Sequence, residues 1–62
     1  MYVLIINFNS KGTSSYEFGN ASADIVWASY CNTVKCTVCC NLDDIRDISL
    51  YHEGCRVAYE EF

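Results

Sequence analysis

The chain has 62 residues, 52% of them apolar and 15% aromatic, and four Lys or Arg against eight Asp or Glu leave a net charge of −4. This is room for one small domain over residues 1–62, and too much adhesive side chain for a disordered chain of low net charge. Four scattered cations (Lys11, Lys35, Arg46 and Arg56) do not build the basic surface that nucleic-acid binding needs, and the longest apolar run, residues 1–6, is far below the roughly 20 residues of a membrane-spanning helix.

In chain order, residues 2–8 are rich in β-branched and aromatic side chains, and they are followed by a turn ending at Gly12 and a second strand-like segment over residues 13–18. This predicts a β-hairpin, with Gly12 taking a positive φ at no steric cost. Asn20 or Ser22 can cap a helix of about 12 residues whose first turn carries Asp24, with Ala21, Ile25, Ala28 and Cys31 sharing a face and Trp27 and Tyr30 flanking it. Residues 34–40 then alternate Val34, Cys36, Val38 and Cys40 against Lys35, Thr37 and Cys39, which predicts a third strand. Residues 41–47 read as an Asn- and Asp-rich loop tacked to the core by Leu42 and Ile45. Residues 48–51 and 55–60 read as a second hairpin around His52, Glu53 and Gly54.

The expected architecture is α+β: a five-stranded antiparallel sheet with element order ββαβββ and strand order 2-1-3-4-5, with one helix packed on one face. In the first strand Tyr2, Leu4, Ile6 and Phe8 point one way while Val3 and Ile5 point the other, the pattern of a strand covered on both sides. One helix covers one face only. A symmetric homodimer is the commonest cover for the other, so Val3 and Ile5 are assigned to a dimer interface.

Five cysteines, at positions 31, 36, 39, 40 and 55, include a C-x-x-C at Cys36 and Cys39. On a strand, residues three apart point to opposite faces, so Cys36, Cys39 and Cys40 are not expected to converge on one ion. Buried free thiols acting as small hydrophobes are the expectation, with no metal and no other cofactor. His52 lies near Cys55 through the hairpin, but a thiolate–imidazole pair needs an orienting third group and an oxyanion site that nothing in the sequence supplies. No catalytic residue is assigned, and the protein is not expected to be an enzyme. Asp43, Asp44 and Asp47 lack the spacing of a calcium loop and read as a solvated acidic turn.

No motif identifies a family. In size and style alone, the chain is similar to the tiny acidic α/β proteins encoded by phages and mobile elements, several of which block host defence systems by binding a protein. The functional expectation is a non-enzymatic binding protein of inhibitor or adaptor type, located in the cytoplasm because the first cation, Lys11, follows the apolar run instead of preceding it as in a secretory signal. It is expected to meet a larger protein partner through Asp43, Asp44, Asp47, Tyr51, Glu53, Tyr59, Glu60 and Glu61, since Tyr combines apolar area with a polar tip and carboxylates address a basic patch. Two alternatives are a cysteine-based metal or thiol module on Cys36, Cys39 and Cys40, and a dimeric protein that sequesters a small ligand between two copies.

Overall fold

The computed structural model describes residues 1–40 and 43–62; Asn41 and Leu42, and with them part of the expected acidic loop, lie outside the described residues. The elements are β1 (Tyr2–Phe8), β2 (Gly12–Glu17), α1 (Ala23–Cys39), β3 (Ile45–His52) and β4 (Cys55–Glu61). The described strands form a four-stranded antiparallel sheet of order β2-β1-β3-β4, so the class remains α+β but the five-stranded architecture does not hold. The segment expected as a third strand is the second half of the helix, which is 17 residues long. The place beside β1 is taken by Ile45–His52, whose first three residues were expected in a loop.

The helix continues through residues 34–39 because one stripe persists at helical period: Val26, Tyr30 and Thr37 are buried, with Val34 packed against the core between them. Thr33 and Thr37 donate their hydroxyls to the carbonyls of Ser29 (2.8 Å) and Thr33 (2.9 Å), a bond that β-branched hydroxyl residues make readily inside a helix. The alternation over residues 34–40 is therefore an accident of placing Thr37 inward between outward residues. The inner face also differs from expectation: Ala21 packs on the core, but Ile25 is 58% exposed and Ala28 and Cys31 are exposed.

Because β2 and β3 are both antiparallel to β1, they run parallel to each other on either side of it, and α1 is the crossover between them. The helix covers the sheet face that carries the even-numbered residues of β1. Leu4 lies across from Leu50, and Ile6 across from Ile48, and these join Val26, Tyr30 and Ile45 in the core. Tyr2, Phe8, Phe18 and Ala58 close its margins. Both hairpins form with shifted bounds, β2 starting at Gly12 and the second turn shortened to two residues because His52 belongs to β3. Gly12 has φ of 86° in the first, and Glu53 and Gly54, at φ of 51° and 80°, form the tight turn of the second, the paired positive φ that suits the twist of a two-residue hairpin.

Candidate functional site

The second sheet face has no cover within the described residues. Strand register lays it out as three rows across β2, β1, β3 and β4. The first row is Thr13, Asn7, Asp47 and Glu61; the second is Ser15, Ile5, Ser49 and Tyr59; the third is Glu17, Val3, Tyr51 and Arg56. A bulge at Val57, between Ala58 and Arg56 in the register with β3, keeps Arg56 on the same face as Tyr59.

The three rows differ in chemistry. The first is a hydrogen-bonded polar rail: Thr13 Oγ1 donates to Asn7 Oδ1 (2.6 Å), Asn7 Nδ2 donates to Asp47 Oδ1 (2.7 Å), and Arg46 Nε donates to Asp47 Oδ2 (3.3 Å). Asp47, expected as a solvated turn residue, is buried in this rail as part of a strand. The other two rows hold the apolar content of the face: Val3, Ile5 and Tyr51 are half-buried, and Tyr59 is 41% exposed. Tyr59 donates to Glu61 Oε2 (3.1 Å) while the Arg56 guanidinium lies 4.5 Å from its ring centroid, so the phenol is anchored at both ends. Burial, then the acceptor Glu61, push its phenol above the ordinary tyrosine range. Glu17 and Arg56 stand at opposite edges of the third row, and neither forms an ion pair among the described residues.

Of the residues expected to meet a partner, Asp47, Tyr51, Tyr59 and Glu61 share this face with Val3 and Ile5. The other four do not join them. Asp43 and Asp44 sit at the end of the sheet near the first hairpin turn, where Asp44 Oδ1 accepts from the Ser10 backbone N–H (3.2 Å) and hydroxyl (2.8 Å) and the Asp43 carbonyl accepts from Asn9 Nδ2 (3.2 Å). Glu53 is in the second turn at the far end, holding the amino-terminal nitrogen at 2.6 Å, a contact that lowers its carboxyl below the usual range. Glu60 lies opposite Ile48 and faces the helix side; after burial itself, its charge is the next cause raising the Tyr30 phenol. Sequence reasoning missed Glu17, Ser15, Ser49 and Arg56, which only the cross-strand register brings onto the face.

His52 is not part of the turn: it ends β3 half-buried, with its ring stacked on Tyr2 at 4.1 Å. Cys55 is its cross-strand neighbour, and Glu53 Oε1 lies 3.9 Å from its Nε2. All five cysteines are free and exposed, which corrects the expectation of buried thiols. The helix also corrects their geometry, since Cys36 lies one turn from both Cys39 and Cys40 instead of alternating with Cys39 across a strand. No group of three or more His, Cys, Asp or Glu among the described residues is arranged to hold a metal ion. No helix among them is long and apolar enough to cross a membrane.

Comparison with known proteins adds no relative: no protein-family model matches the chain, and no curated protein or solved structure is significantly similar to it.

Proposed function

We propose that this chain is a non-enzymatic binding protein of inhibitor or adaptor type whose contact surface is the open face of its sheet. The observation that carries this reading is the juxtaposition, on one uncovered face, of an apolar and aromatic centre with a rigid polar rail beside it. Protein-contact surfaces have this anatomy, an apolar middle with tyrosine and arginine and a polar rim. A rigid sheet presents such groups with little ordering cost on binding. The resemblance in size and style to phage and mobile-element proteins directs the search for a larger partner to host defence and regulatory proteins.

The test places a photo-crosslinking residue at Tyr59, on the open face, and at Asn32, on the outer side of the helix, in separate full-length chains introduced into extracts of the native source. Protein adducts from position 59 and none from position 32 are expected. Adducts from position 32 alone overturn the reading.

A further inference from the structure

We infer that in the free protein the open face is occupied by a second copy of this chain, related by a two-fold axis that runs parallel to the strands and displaced when a larger partner binds; this rests on the reading of that face as a binding surface. Packing two such faces together with this axis keeps each row opposite itself and exchanges the edges, so β2 of one protomer meets β4 of its partner and β1 meets β3. Glu17 then faces Arg56 of the other protomer, twice per dimer, and neither of these charges has an ion-pair partner among the described residues of its own chain.

The same operation matches sizes. Ile5 comes opposite Ser49, Tyr59 opposite Ser15, and Val3 opposite Tyr51, so large side chains meet small ones in the middle row and apolar meets aromatic in the third. The polar rail meets the polar rail. An axis in the same plane but perpendicular to the strands reverses the rows instead, setting Val3 on Asn7 and Tyr51 on Asp47, and so buries apolar groups against a hydrogen-bonded carboxylate. The perpendicular axis does set Arg56 on Glu61, but only the parallel axis matches charge and polarity together.

The size of the face sets the strength. Four strands of about seven residues cover roughly 450 Å² at the usual spacing and rise, so a pair buries close to 1,000 Å², the lower end for a specific association. A micromolar dimer is expected, one that dissociates on dilution.

Sedimentation equilibrium of the full chain, from about 1 to 300 μM, tests this. The expected mass rises from 7.0 kDa towards twice that value across the range. Glu17→Arg and Arg56→Glu should each weaken dimerisation about tenfold, because each breaks two rim pairs, while the double variant restores both pairs and returns to within about threefold of the parent. Both positions are exposed on edge strands, and circular dichroism of each variant should match that of the parent, showing that it stays folded. A chain that stays monomeric at 300 μM, or a dimer that the double exchange does not rescue, overturns the inference. The position 59 crosslinker separates the two failures: no self-adduct in the purified chain at about 300 μM, with adducts to other proteins in extract, overturns self-pairing and leaves the binding reading standing, whereas no adduct of any kind removes both.

Discussion

Asp47 shows how little a residue's type fixes its role in a small sheet. Its sequence neighbours make it look solvated, yet it is 6% exposed and accepts bonds from Asn7 and Arg46. Asp47→Ala should cost about 1 to 3 kcal/mol in urea unfolding, since it leaves the Asn7 amide without its acceptor in a partly buried site. Leu50, fully buried at the centre of the sheet, belongs to a different scale. Leu50→Ala should cost about 2 to 5 kcal/mol by cavity formation, which approaches the roughly 3 to 9 kcal/mol total stability of a chain this size, so the variant is expected largely unfolded at 37 °C. The phenols give a pH signature. Tyr30 is pushed up mainly by burial and then by Glu60, and Tyr59 by burial and then by Glu61. Both neutral forms are favoured in the fold, so any stability they contribute is complete below the ordinary pKa near 10 and is lost as pH rises through the folded values. Spectrophotometric titration should show a late phase of tyrosine ionisation, and Tyr30→Phe and Tyr59→Phe should each remove part of it.

At the scale of the element, the hairpins were legible in the sequence because their turns demand specific residues: Gly12 and Gly54 occupy positions with φ of 86° and 80°. The first half of the helix was legible too, from Ser22 and Asp24 at its start. Its second half was not. Val34, Thr37 and Val38 are stiff β-branched residues that favour strands, and Asn32 resembles a stop, so local propensity pointed away from the helix that tertiary packing selects. The same error misplaced the cysteines and displaced the strand beside β1. Of the open face, the alternation in β1 revealed Val3 and Ile5, but the charges at its edges depend on pairing between strands distant in sequence, which no local pattern encodes. A pair of substitutions separates the two geometries. On a strand Val38 would share the face of Val34 and Thr37 would look outward, whereas in α1 Thr37 is 4% exposed and Val38 is 60% exposed. Val38→Lys should therefore change stability by no more than about 0.5 kcal/mol, while Thr37→Lys should lower it by at least about 2 kcal/mol. A reversed order in thermal or urea unfolding would return residues 34–40 to the sheet.

For the whole molecule, the deciding fact is that one helix and one four-stranded sheet make two layers, with extents of 30 × 21 × 15 Å. Two layers have a single interior, and among the described residues six apolar side chains are buried in it. The open face keeps its own apolar side chains half in water, and none of the five cysteines is joined in a disulfide that would stiffen so small a chain. If a second copy covers that face, association is linked to folding, and the melting temperature must depend on concentration. With an unfolding enthalpy of about 0.7 kcal/mol per residue over two chains, Tm should rise by about 5 °C for each tenfold increase in protein concentration within the dimeric range. Ile5→Lys, at the centre of the open face and outside the core, should abolish that dependence while the helix and sheet still form at low temperature. Calorimetry on the parent at 20 and 200 μM, and on the variant at the same concentrations, reads this directly. A parent whose Tm is the same at both would mean that the exposed face is tolerated by the isolated chain, and that stability resides wholly in the interior between α1 and the sheet.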